Sequence, residues 1–160
     1  MSKQQPIELF MPPNLLKAKV GNGSFSGVDT AAIERAETAM DALKDDFAGW
    51  ALEDVQRLTE ARERYAKSPD AASRATLLRA AHDMKGQAAT FDFPLVARVA
   101  GSLANLIHDL PPEKELSLTL VDAHVNAILA IHRDKITDMS NTVALTLAQE
   151  LEARVAEILG

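Results

Sequence analysis

Apolar side chains recur at every third or fourth position through most of the chain from Ile33 to Ile158, and nowhere do they alternate for long enough to make a strand. A period near 3.6 sustained over such a length commits the backbone to helices, and the punctuation divides them. Ser68-Pro69-Asp70 stops one segment and caps the next. Asp92-Phe93 makes a turn before Pro94, a residue suited to the first turn of a helix, and Pro111-Pro112 ends that helix. The segments so bounded are a helix from Asp29 or Thr30 to about Lys67, then 71–90, 94–109 and 117–136, and a last one from near Asn141 or Thr142 to 159. Gly49 is expected to break the first into two.

Each segment carries a stripe that reads as its buried face. The first has Ile33, Ala36, Met40, Leu43, Phe47 and Trp50 up to the Gly49 region, and Ala51, Val55, Leu58 and Tyr65 beyond it. The second has Leu77, Ala80, Met84, Ala88 and Phe91, and the third Val96, Val99, Leu103 and Leu106. The fourth has Leu118, Val121, Val125 and Ile128, and the last Leu147, Leu151, Val155 and Ile158. Short connections favour antiparallel neighbours. The expected fold is therefore all-α: an antiparallel up-and-down four-helix bundle of about 51–67, 71–90, 94–109 and 117–136, with additional N- and C-terminal helices. Residues 1–28, with Pro6, Pro12, Pro13, Gly21, Gly23 and Gly27 around a short apolar group, read as an irregular N-terminal arm. Residues 29–160 read as a single helical domain, its core bundle at about 51–136 and its C-terminal helix at about 142–159. The last stripe is assigned to the chain's own core, which makes the protein a monomer, with a dimer contact as the alternative.

Composition narrows the function. The chain has no cysteine, which excludes disulfides, thiolate metal sites and thiol catalysis. A formal net charge of −6 argues against general affinity for nucleic acid. No basic region followed by an apolar run opens the sequence, and no stretch approaches the roughly 20 apolar residues of a membrane span. The expectation is a cytoplasmic protein with no membrane partner. Nucleotide-binding glycine loops and the Gly-x-Ser-x-Gly elbow are missing. No glutamate stands three residues before a histidine, and His124 and His132 are poorly spaced as a pair, so no metal site is expected.

One turn of the second helix is different. In Ala81-His82-Asp83-Met84-Lys85-Gly86, Lys85 and Gly86 lie three and four positions after His82. Side chains so spaced are neighbours on a helix surface, roughly 5–6 Å apart. His82 lies opposite the apolar stripe and so faces solvent. A neutral imidazole can attack phosphorus and carry a phosphoryl group. Lys85 offers a compact cation to phosphate oxygens. Gly86 costs roughly 1 kcal/mol relative to alanine in a helix interior, and clearance for another protein's backbone would offset it. Ala75, Leu78, Arg79 and Ala89 surround the trio with small or partly apolar surface and one more cation, a docking floor for a partner.

The stretch from Leu78 to Phe93, Leu-Arg-Ala-Ala-His-Asp-Met-Lys-Gly-Gln-Ala-Ala-Thr-Phe-Asp-Phe, resembles the phosphohistidine segment of histidine-containing phosphotransfer (HPt) domains. It is also similar to the phosphoacceptor domain of chemotaxis histidine kinases. Ala81, His82, Lys85, Gly86, Ala88 and Ala89 match the family pattern; Gln87 departs from it, and Asp92 stands where a turn glycine is common. The resemblance implies a phosphocarrier of a two-component phosphorelay. His82 would be the phosphoacceptor, Lys85 the phosphate-assisting cation and Gly86 the clearance. Its partners would be response-regulator receiver domains and a hybrid histidine kinase, with Mg²⁺ supplied by the receiver and no cofactor of its own. The alternative is a pseudo-HPt or scaffold bundle that binds a receiver or kinase without carrying phosphate.

Overall fold

The computed structural model describes residues 29–160, apart from the side chains at 44–48 and 50. The N-terminal arm expected over 1–28 lies outside the described residues, as do the side chains of Phe47 and Trp50. Among the described residues there are five helices and no strand: α1 (Thr30–Lys67), α2 (Ala71–Thr90), α3 (Pro94–Asp109), α4 (Leu118–Arg133) and α5 (Thr142–Leu159). The structure divides into two compact units at Met40 and Asp41, and the core belongs to the second. No described helix is long and apolar enough to cross a membrane.

The helix ends form where side chains replace missing backbone partners. Asp70 accepts from the Ser73 N–H at 2.8 Å, and Ser73 Oγ accepts from the Asp70 N–H, a reciprocal capping box at the start of α2. Ser117 and Asn141 cap α4 and α5 through the N–H groups of Leu120 and Ala144. Pro94 stands in the first turn of α3. The C-terminus of α3 is held from outside: Arg74 of α2 donates to the carbonyls of Ile107 (3.0 Å), Lys114 (3.0 Å), Pro111 and Leu110. That guanidinium, near the start of α2, also shows that α2 and α3 run antiparallel.

Helix α3 is the centre of the packing. It touches α2, α4 and α5, and Leu95, Val96, Val99, Ala100, Gly101, Ser102, Leu103, Ala104, Leu106 and Ile107 are all buried. The second half of α1 adds Val55, Leu58, Ala61 and Tyr65 to the same core. Its C-terminal end is tied to α4 by a two-pronged pair between Arg62 and Asp122, and the Tyr65 hydroxyl accepts from the Leu116 N–H at 3.2 Å. Arg98 of α3 grips Glu152 of α5 through two contacts of 2.6 and 2.7 Å.

Five expectations require correction. α1 runs through Gly49 without a break. A lone glycine costs only about 1 kcal/mol in a helix interior, and no proline or capping residue accompanies this one. The described part of the stripe before Gly49 is not buried: Ile33, Met40 and Leu43 are 44%, 58% and 66% exposed. A 38-residue helix is about 57 Å long, roughly twice the length of the others. In α5 the buried face is Ala144, Ala148, Leu151 and Val155, while Leu147 and Ile158 stay partly exposed. The small alanines, not the larger Leu147, let this helix approach α3 and α4 closely. Leu118 is likewise exposed in α4, and Ala81 replaces Ala80 at the centre of the buried face of α2, with Ala80 and Phe91 half-buried at its margin.

His124 is the buried ring that the sequence reading missed. It is completely enclosed, with Nδ1 2.7 Å from the Leu120 carbonyl and Nε2 3.1 Å from Ser102 Oγ. A neutral ring satisfies both by donating at Nδ1 and accepting the Ser102 hydroxyl at Nε2. Burial pushes its pKa below the ordinary 6.5, and half-buried His132, packed on Phe93 at 5.9 Å, shifts the same way. The unfolded chain therefore takes up protons at these rings before the folded chain does. Their stabilisation is complete above about pH 6.5 and is lost as the pH falls toward the lowered folded values. The thermal midpoint should begin to fall below about pH 6.5, well before the hydrogen-bonded carboxylates Asp70, Asp134 and Asp138, held below their ordinary 3.8, lose theirs. His124→Gln, which keeps a donor and an acceptor without titrating, should flatten that first limb. An unchanged midpoint down to about pH 5 in the unmodified protein would rule this account out.

Candidate functional site

The candidate phosphoacceptor is placed by the buried face of its helix. Leu77, Ala81, Met84 and Ala88 recur at four, three and four residues and face the core, with Ser73 continuing the line. Fixing that face inward turns His82, Lys85 and Gly86 outward, and all three are exposed. The helix ends in a left-handed turn: Asp92 has φ +67°, and the Phe93 N–H returns to the Ala88 carbonyl at 2.9 Å. Aspartate tolerates that conformation better than most side chains. The turn thus forms with aspartate in place of glycine.

His82 lies in an open groove between α2 and α3. Its walls are Ala75, Leu78, Arg79, His82, Asp83 and Lys85 from α2 and Ala104, Asn105 and His108 from α3. The structure thus brings Ala75, Leu78, Arg79 and Lys85 together with His82. Gly86 and Ala89 are exposed on the same helix but do not line this groove. A Cβ on Gly86 would meet nothing within 4 Å, so the glycine is not required by the packing of the described residues. Ala104, Asn105 and His108 were not singled out from the sequence. A signal for them exists: in an antiparallel pair joined by a tight turn, residues equally far from the turn face each other. Asp92 is ten residues after His82, and ten further on is Ser102, beside this α3 surface.

The electrostatics follow from which cations are already engaged. Arg57, Arg62, Arg98, Arg133 and Arg154 are paired with carboxylates, and Arg74 is spent on carbonyl oxygens. Among the described residues, neither Lys85 nor Arg79 has a carboxylate within ion-pair distance. Two unspent cations therefore stand in the same groove as the imidazole. His108 sits in the last turn of α3 with Nδ1 2.8 Å from Asp109. On the far side of α2, Arg79 and Asp83 also line a second groove with Asp54, Arg57, Glu60 and Arg64 of α1. Burial raises the carboxyl of Asp54 above its ordinary value, nearby Asp83 and Glu53 add to this, and Arg57 opposes it.

Chemically, the groove has an exposed imidazole, two cations without an ion-pair partner among the described residues, the carboxylate of Asp83, and small residues such as Ala75 and Ala104. It is too open to exclude water by itself. No group of three or more metal-ligating side chains occurs among the described residues. The groove is open to solvent and does not enclose a small substrate.

Comparison with known proteins bears on the same segment. The model of the Hpt domain family matches residues 42–158, which takes in the second half of α1, all of α2, α3 and α4, and nearly all of α5. No curated protein and no solved structure matches the chain. The match covers well over half of the sequence and includes His82 with the whole core that orients it, so the chain belongs to the Hpt domain family.

Proposed function

We propose that this chain is a histidine phosphotransfer protein that reversibly carries a phosphoryl group on His82 between receiver-domain aspartates of a two-component phosphorelay. Membership of the Hpt family supports phosphotransfer signalling in general. The observation that carries the specific reading is the exposed His82 sharing its groove with Lys85 and Arg79, two cations that no carboxylate among the described residues neutralises.

In this reading the unprotonated ring nitrogen of His82 attacks the phosphorus of an aspartyl phosphate. The bond from phosphorus to the carboxylate oxygen breaks, and the partner's aspartate leaves as a carboxylate. The reverse step on a second receiver discharges the histidine. Phosphoryl transfer asks mainly for in-line placement and charge neutralisation, which suits so spare a site. Lys85 accompanies the phosphoryl oxygens, and Mg²⁺ belongs to the receiver. Ala75, Leu78, Arg79 and Ala89 form the docking face, joined by Ala104 and Asn105 of α3, and Gly86 keeps it low. An up-and-down bundle of the helices around α3 provides the rigid support.

His82→Gln should keep its helical circular dichroism and lose all acid-labile phosphate after incubation with a phosphorylated receiver. Label remaining on His108, His124 or His132 would move the site. A wild-type protein that binds the receiver but never becomes labelled would instead favour a scaffold. Lys85→Ala should slow transfer by roughly tenfold to a hundredfold, the worth of one charge-assisted contact. Its thermal midpoint should barely move, since exposed substitutions stay within about 0.5 kcal/mol. Unaltered rates in both directions would remove Lys85 from the mechanism.

The open space around Gly86 gives a further test. Gly86→Ala should stabilise the protein by about 0.5–1 kcal/mol in chemical denaturation. Gly86→Gln should abolish transfer from a receiver while a small phosphodonor still modifies His82. Equal loss of both reactions would show that the glycine does not serve docking.

A further inference from the structure

The side chain of Lys85 does not stand away from its own helix into solvent; it crosses toward α3 and lies against Gly101. A Cβ built on Gly101 would be 3.4 Å from Lys85 Cδ, 3.5 Å from Cε and 3.9 Å from Nζ. Gly101 is buried although it has no side chain, while Lys85 as a whole remains exposed. The methylenes of Lys85 therefore cover α3, and the ammonium stays open to solvent. Gly101 lies one turn before Ala104 and Asn105 on the α3 surface that lines the His82 groove.

A lysine has four rotatable bonds, and an unsupported one spreads its charge over a wide volume. Glycine in mid-helix is unfavourable and needs a reason. We propose that Gly101 is a positioning residue for Lys85: its missing side chain leaves a track on α3 that receives the lysine stem and holds the ammonium over the groove containing His82. This inference rests on the phosphocarrier reading for its consequence, though not for its geometry.

The distances set the allowed substitutions. A methyl group at 3.4–3.5 Å from Cδ and Cε makes ordinary van der Waals contact, so alanine leaves the track usable. A longer or branched side chain fills it and forces the lysine elsewhere.

The test uses the full chain. In Gly101→Ala, the introduced methyl group should show nuclear Overhauser contacts to the Cδ and Cε protons of Lys85, and transfer from a phosphorylated receiver should stay within about twofold of wild type. Gly101→Leu should slow transfer by the same factor as Lys85→Ala. The double variant Lys85→Ala/Gly101→Leu should be no slower than Lys85→Ala alone, because the leucine acts only through the lysine it displaces. Three results would overturn the proposal: no methyl contact to Lys85, a leucine variant that transfers at the wild-type rate, or losses that multiply in the double variant. Gly101→Val replaces leucine in the cycle if the leucine variant does not fold. Should the unmodified protein accept no phosphoryl group at all, the phosphocarrier reading fails, and the methyl contact still decides whether Gly101 seats Lys85.

Discussion

The enclosure of α3 is the constraint from which the rest follows. Leu95, Val99 and Leu103 have no exposed surface, and the helix touches α2, α4 and α5 at once. Complete burial of a side chain of this size contributes about 1.5–3 kcal/mol, so a few such residues outweigh any polar contact in the molecule. A helix buried on so many sides cannot rotate or slide without opening the core. Its neighbours inherit that rigidity: Met84, Leu77 and Ala81 are locked against it, and His82, one position beyond Ala81, is locked outward. Arg74 adds a second restraint by filling the carbonyl end of α3 from α2.

Small residues decide how closely the helices approach. Ala97, Ala100, Gly101 and Ala104 on α3 and Ala144 and Ala148 on α5 belong to or border packed surfaces in which backbone comes near backbone. Close approach lets one lysine reach across from α2 to α3. Polar groups taken inside by the same packing are satisfied: no buried side-chain nitrogen or oxygen among the described residues lacks a partner. His124 between Ser102 and Leu120 is the clearest case.

Much of the architecture was legible because helix boundaries are local events. The Asp70 cap, Pro94 and the Pro111-Pro112 stop act within a turn of chain, and α2 and α3 form over the expected residues. Gly49 was overvalued as a breaker because a lone glycine costs a helix little. The other errors share one cause: Leu147 and Ile158 were preferred to Ala144 and Ala148, and Ile33, Met40 and Leu43 were taken as core. Periodicity reports that a face is apolar. It does not report whether another helix is long enough or close enough to cover it.

The site divides in the same way. His82, Lys85 and Gly86 share one turn of one helix, so the spacing in the sequence was enough to put them on one face and to turn that face outward. The match to the Hpt family, over residues 42–158, includes this segment and its helical frame. Ala104, Asn105, His108 and Gly101 lie on another helix, and only the antiparallel packing of α3 on α2 brings the first three to the groove and the last under Lys85. Which cations are free was also decided in three dimensions, since Arg62 and Arg98 find carboxylates 60 and 54 residues away while Lys85 and Arg79 find none among the described residues. Contacts within one helical turn are set by covalent spacing and can be read from the sequence. Contacts across two helices depend on register and distance of approach, which the packed core alone determines.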